Sequence, residues 1–312
     1  MTIHYSIEGN LIYVAMIMLA VGLVLSLLRK IRWLPAVVFG AFVILLAGWI
    51  RRWIAVGHLP MQTMFEVFLT LAMVLFPVGA ISRRLPGIRN PMDYVGDVII
   101  GLIILFPAGF VFSDRPQTLP PVLQSPLFGP HVLAYMLAYV LMAKAAMYAI
   151  MGGCFIPTGK SEARSTKSET TPNDKNHNVQ NVLNFKNSNL NIVSDFEFRI
   201  SDLSRQEKIL RYEQSVYLLV CLGFPLMCLG LMLGSVWGVF AWGDWWNWDP
   251  KELWSLACVL MYALYFHWRG YFGQKFLRAN CLLVILGFVF ILITLLWVNF
   301  SYFFPGLHNY TG

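Results

Sequence analysis

The chain has 312 residues, of which 58% are hydrophobic and only 12% charged, with a formal net charge of +7. A water-soluble domain carries about 25% charged residues, so this composition excludes one and indicates an integral membrane protein. The positive balance does not indicate nucleic acid as a partner, because the bases are divided among loops between apolar runs rather than gathered on one patch.

Eight apolar runs lie at 11–28, 35–50, 65–82, 95–112, 131–151, 215–235, 253–268 and 278–298. A helix needs roughly 20 residues to cross a bilayer; the seventh run is the shortest and needs its flanking aromatic residues to complete the crossing. In lipid every backbone amide must find an internal partner, so each run predicts a helix. None alternates in hydrophobicity as a strand of a membrane barrel would. The first run is not followed by a small-residue cleavage site, so it is expected to stay as a span. The fold class expected is therefore all-α, with about eight transmembrane helices.

The loops after the first, third and seventh runs carry three bases each, and residues 152–214 carry nine. The opposite side has only Arg51, Arg52, Arg115 and Lys251. The positive-inside rule then puts both termini and the loop near residue 245 on the outer face, the lumenal one in an organelle of bacterial descent. Lys144 falls inside the fifth run and is expected to snorkel to the inner surface. Ala134, Ala138, Ala145 and Ala149 form a small-residue stripe on that run, a face suited to close helix packing.

The chain divides into a membrane part at 1–151 (five helices), a polar insert at 152–214 and a membrane part at 215–312 (three helices). The centre of the insert, 173–191, is crowded with Asn and poor in large apolar residues. It cannot bury enough surface to offset its ordering entropy and is expected to be a mobile stromal or cytoplasmic loop. Residues 196–212 read as an amphipathic helix lying on the membrane. The Asn and Lys enrichment hints at an AT-rich genome such as a plastid's.

Residues 237–254 read WGVFAWGDWWNWDPKELW and hold six of the eleven tryptophans. Trp242, Trp245, Trp246 and Trp248 offer flat apolar faces with N–H donors. Asp249-Pro250-Lys251-Glu252 reads as a helix start, with Asp249 as the capping residue and Glu252 three residues on. That assigns Asp249 mainly to architecture, while the helix start and Lys251 favour an anion. Together they describe a surface for a flat ligand with a negatively charged edge, which fits haem and its two propionates. Arg51 and Arg52, the paired bases of that face, are propionate contacts or snorkelling interfacial residues. Five Cys form no C-x-x-C-H, so there is no covalent haem site in the chain itself.

Four histidines bear on such a ligand. His131 begins the fifth run and His308 follows the eighth, both on the face of the tryptophan segment. His58 lies just outside the second run. His267 sits near the inner end of the seventh, about 15 residues from Glu252, or roughly 22 Å along a helix. One iron atom cannot use His267 together with His131 or His308. There are thus two sites at different depths, or one outer site and one structural His. His4 and His177 lie in a terminal tail and in the insert and are set aside.

These residues resemble a known family. WGDWWNWDPKE at 242–252 is similar to the WWD signature of the haem-handling superfamily (CcmF, CycK and CcsA type). Within it, GHLPMQTMFE at 57–66, GPHV at 129–132, YFHWRG at 265–270 and GLHNY at 306–310 are similar to the CcsA-type cytochrome c biogenesis family of plastids and cyanobacteria. The resemblance implies that His131 and His308 ligate haem iron on the outer face and that His267 takes haem up from the inner side. It gives His58 a weaker role, as ligand or at entry, because Thr63 and Phe65 stand where the family has Asn and Tyr. It further implies a ResB/CcsB-type membrane partner, b-type haem held without covalent attachment in transit, and apocytochromes c, cytochrome f included, as acceptors at their C-x-x-C-H motifs. The expected location is the plastid thylakoid membrane, with a cyanobacterial thylakoid or bacterial inner membrane as alternatives. The chain would be the haem-handling component of a cytochrome c synthase; no catalytic residue is assigned. Rival readings are a haem exporter or chaperone without ligation activity, a b-type electron-transfer protein, and a general transporter.

Overall fold

A computed structural model describes residues 4–85, 93–153 and 185–297, with side chains throughout except at 153, 185–206 and 208. His308, His177 and Cys154 fall outside the described residues. Among these residues there are eight α-helices and no strand: α1 Ile7–Leu27, α2 Leu34–Val56, α3 Met64–Ser82, α4 Asp93–Phe110, α5 Phe128–Gly153, α6 Phe185–Trp242, α7 Pro250–Phe272 and α8 Leu277–Leu292. Seven are long and apolar enough to cross a membrane. The helix α7 has the length, at 23 residues, but Lys251, Glu252, His267 and Arg269 dilute its apolar run. The chain is an all-α, multi-pass integral membrane protein.

Several helices outrun their expected spans, α2 and α6 among them. Hydropathy ends the second at residue 50, yet α2 continues through Arg51 and Arg52 to Val56, because Arg52 finds buried partners. The helix α6 begins at Phe185 and runs unbroken to Trp242; the stretch expected as a separate surface helix is continuous with it. The mobile reading of the insert concerns residues largely outside those described.

α5 lies at the centre, packed against α3, α4, α6 and α8. Its Ala134, Ala138, Ala145 and Ala149 are all buried, so the small-residue stripe faces protein. α1 and α2 pair at one side and expose Ile17, Val24, Phe39 and Ile54, as lipid-facing helices do. α7 packs mainly on α8.

Hydrogen bonds across the turns fix which ends lie together. His4 meets Asp114, Arg52 meets the Asp114 carbonyl, and Trp237 meets the Val122 carbonyl. The chain start and the α2–α3, α4–α5 and α6–α7 turns thus share one end, here termed the tryptophan end. The other, basic end holds Arg29, Lys30, Arg32, Arg83, Arg84, Arg269, Lys275 and Arg278.

Lys144 does not snorkel. It is 2% exposed and bonds Asp93 (2.9 Å) and Asp97 on α4. Arg83 bonds the same two carboxylates, at 2.7 Å to Asp93, and Tyr148 donates to Asp93 at 2.7 Å. Two cations meet two anions between α3, α4 and α5, which removes the penalty a lone charge would carry in lipid. Gly79 makes room for it, since a Cβ there would collide with the Asp97 carboxylate. Asp93 and Asp97 lie one turn apart on α4, and hydropathy of the fifth span alone could not reveal them.

Candidate functional site

The tryptophan segment is built from two helix ends. α6 stops because Gly243 adopts φ 86° and its N–H bonds the Val239 carbonyl at 3.0 Å, a left-handed cap that glycine takes without strain. α7 starts with the expected capping box: Asp249 Oδ1 accepts from Lys251 N at 2.9 Å, and Glu252 Oε2 accepts from Asp249 N at 3.2 Å. Glu252 Oε2 also accepts from Asn247 N at 2.9 Å. Its carboxylate therefore clamps the backbone on both sides of Trp248, which is held at φ 54°. A bulky residue in that region is strained by about 1–3 kcal/mol, and strain of this kind marks functional segments more often than others.

The four loop tryptophans do not share one face. Trp246 lines a cavity, and Trp242 packs edge-on against Trp237 at 4.8 Å. Trp245 and Trp248 turn outward, 64% and 68% exposed.

The cavity, about 210 Å³, opens among the helix ends of the tryptophan end. Met61 and Gln62 come from the α2–α3 turn and Met64 from the start of α3, His131, Tyr135 and Tyr139 from α5, and Gly234 and Trp237 from α6. Trp246, Lys251 and Glu252 complete it from the loop and α7. His131 Nδ1 lies 2.8 Å from the Gly230 carbonyl. A carbonyl can only accept, so Nδ1 carries the proton and the lone pair is on Nε2. The ring stacks on Trp237 (6.1 Å, 24°) and meets Tyr135 edge-on (5.3 Å). It lies over Gly234, where a Cβ would come within 2.5 Å of its Cε1. Trp237, fully buried, was not singled out among the sequence candidates. The signal was available: it stands on α6 three residues after Gly234, at helical spacing.

Burial pushes the Lys251 ammonium down to about 8, with Asp249 opposing the shift. The Gln62 Nε2 donates to the Thr118 carbonyl at 3.2 Å, and its Oε1 is buried with no hydrogen-bond partner. The cavity wall thus carries an imidazole, indole rings, a half-buried ammonium and an unmet amide acceptor. Among the described residues no three His, Cys, Asp or Glu side chains converge to cage a metal.

The other candidates lie elsewhere. Arg51 is half exposed and meets Glu8 at 3.3 Å. Arg52 is 2% exposed and gives Nε to Glu66 (2.9 Å) and its two Nη to the Asp114 and Arg115 carbonyls (2.6 and 3.3 Å). Neither lines the cavity. His58 Nδ1 lies 3.0 Å from the Leu59 carbonyl and Nε2 3.4 Å from that of Gln117. His267 is exposed near the basic end of α7, with Nδ1 2.8 Å from the Ala263 carbonyl. The structure brings together His131, Trp246 and Lys251, and keeps His267 apart. His4, set aside in the sequence, is buried beside Asp114 at 3.2 Å.

Comparison with known proteins identifies the family of the chain. Residues 5–304 match the family model described as cytochrome C assembly protein. The chain is 30% identical over 269 residues to the cytochrome c biogenesis protein CcsA of Prochlorococcus marinus (strain NATL1A), covering 84% of this chain and 79% of that one. Proteins of the same name from Cyanophora paradoxa and Trieres chinensis are each 29% identical, covering 84% and 83% of this chain and 82% and 80% of theirs. With a helical membrane bundle, a tryptophan-lined cavity and a match along nearly the whole sequence, the chain belongs to the cytochrome c assembly protein family.

Proposed function

We propose that the chain acts in cytochrome c biogenesis by holding haem at the tryptophan end and presenting it for covalent attachment to apocytochromes. The observation that carries this is His131: a histidine of fixed tautomer, stacked on Trp237, in the wall of a cavity that Trp246 and Lys251 also line. Haem is the cargo, bound without covalent attachment. His131 is one axial ligand and His308 the second. Lys251 and the start of α7 take a propionate, and Trp246 lies against the ring.

Typical ligand pockets measure roughly 300–1,000 Å³, so a cavity of about 210 Å³ cannot enclose a haem. In this reading one edge enters and the rest stays outside the cavity; the neighbouring loop exposes Trp245 and Trp248. That suits a carrier that must hand over its cargo. The acceptor's C-x-x-C-H histidine replaces one ligand, and each thiol S–H adds across a vinyl double bond, sulfur to one carbon and hydrogen to the other. Proximity supplies the rate advantage; no nucleophile of this chain is required.

The tryptophan end faces the lumen in this reading, because the bases named above gather at the other end. A ResB/CcsB-type subunit is the membrane partner, apocytochromes c including cytochrome f are the acceptors, and the site of action is the thylakoid membrane of a plastid. His267, outside the cavity and near the basic end, is the entry ligand for haem coming from the inner side. Coexpression with the partner and an apocytochrome, scoring covalent haem, tests the proposal. Transfer that depends on His131 supports it. Haem bound but never transferred would favour the exporter or chaperone reading.

A further inference from the structure

We infer that residues 113–124, between α4 and α5, form a strap that sets the position of the His131 imidazole, with Arg52 and Trp237 as its positioning residues. This rests on the haem reading only for its functional consequence.

The segment contains Pro116, Pro120 and Pro121. Proline fixes its own φ, lacks an N–H and steers its predecessor away from helix. Residues 113–120 accordingly adopt no regular structure, and their carbonyls have no ladder of their own. Side chains from three other elements take them. Arg52 of α2 donates to Asp114 and Arg115 (2.6 and 3.3 Å). His58 Nε2 lies 3.4 Å from the carbonyl of Gln117, and Gln62 donates to Thr118 at 3.2 Å. Trp237 Nε1 of α6 donates to Val122 at 3.2 Å. The Asp114 carboxylate is itself held by His4.

Arg52 also grips Glu66, whose Oε2 accepts from Gln62 N and Thr63 N at 3.0 and 3.2 Å. One buried guanidinium thus fixes the start of α3 and the strap together. At its far end the strap places Leu123 in the cavity wall and holds the indole on which His131 stacks. The route from Arg52 to the imidazole is continuous: Arg52, strap, Val122, Trp237, His131. Arg52 is a positioning residue rather than a propionate contact.

The test uses the full chain with its partner in membranes. Trp237→Phe keeps an aromatic ring against His131 but removes the N–H donor to Val122. Arg52→Lys keeps a charge for Glu66 but loses the fork on the strap. Amide hydrogen exchange of 113–124 and the rate at which diethyl pyrocarbonate modifies His131 are read on haem-free protein, and haem absorption on loaded protein. Both variants should raise exchange and His131 reactivity by about fivefold, the population change that one lost hydrogen bond allows. Both should also shift the haem spectrum. Unchanged His131 reactivity in both variants, whatever the haem does, overturns the inference. Haem fully retained in His131→Ala would instead sink the haem reading, a separate result.

Discussion

Two polar clusters buried in this bundle differ in what they leave unmet. Between α3, α4 and α5, Arg83, Lys144, Asp93, Asp97 and Tyr148 bond to one another and sum to no net charge. At the tryptophan end, Lys251 lies half-buried on a cavity wall, Gln62 Oε1 is buried there with no hydrogen-bond partner, and Trp248 is strained. A closed network holds helices together; an unmet acceptor on a cavity wall, as at Gln62 Oε1, invites a ligand. The difference separates architecture from site more sharply than hydrophobicity does.

The contrast can be broken by substitution. Removing one member of the closed network leaves an uncompensated charge, so Lys144→Met or Asp97→Leu should each cost about 3–5 kcal/mol. Thermal unfolding in detergent would show it. The double variant Lys144→Met/Asp97→Leu keeps the Arg83–Asp93 pair and should recover most of the loss. At the cavity the same logic inverts. Gly234→Ala favours the helix by up to about 1 kcal/mol yet drives a methyl into His131. Overpacking of about 1–3 kcal/mol should lower haem retention by roughly tenfold, with a net loss of stability of no more than about 2–3 kcal/mol once the helix gain is counted.

Smaller effects sharpen the picture of the loop. Glu252→Ala frees the N–H groups of Asn247 and Asp249 and should cost about 1 kcal/mol, the worth of a helix cap. Trp248 should then leave its left-handed conformation, read as a change in tryptophan emission. Lys251 gives the mildest signature. Its amine loses its proton as pH rises through about 8, below the ordinary lysine value of 10.5. In the unloaded protein the unfolded chain then binds the extra proton between those values, so stability rises with pH across that window. Retention of a carboxylate-bearing ligand runs the other way, strongest below pH 8 and falling above it. Lys251→Met should flatten both slopes.

The sequence made some of this visible and hid the rest for physical reasons. Apolar runs marked all eight helices, and the capping box at Asp249 and Glu252 could be read from spacing alone. The extension of α2 could not, because Arg52 looks like a boundary until Glu66 and the strap carbonyls are brought to it by the fold. Lys144 was misread for the same cause: its partners sit on another helix, about 50 residues away in the chain. His131, a candidate from the sequence, lines the cavity. Its neighbour Trp237 was passed over because the tryptophan cluster was read as one surface, whereas the left-handed Gly243 and Trp248 split it into inward and outward halves.

The central claim is that His131 ligates haem in the cavity beside the tryptophan loop. Its most direct test is the haem content and absorption spectrum of the purified complex carrying His131→Ala, with and without added imidazole. The account predicts that bound haem and holocytochrome yield both fall, and that imidazole restores the bound haem. Undiminished haem with a parental spectrum in His131→Ala would contradict it.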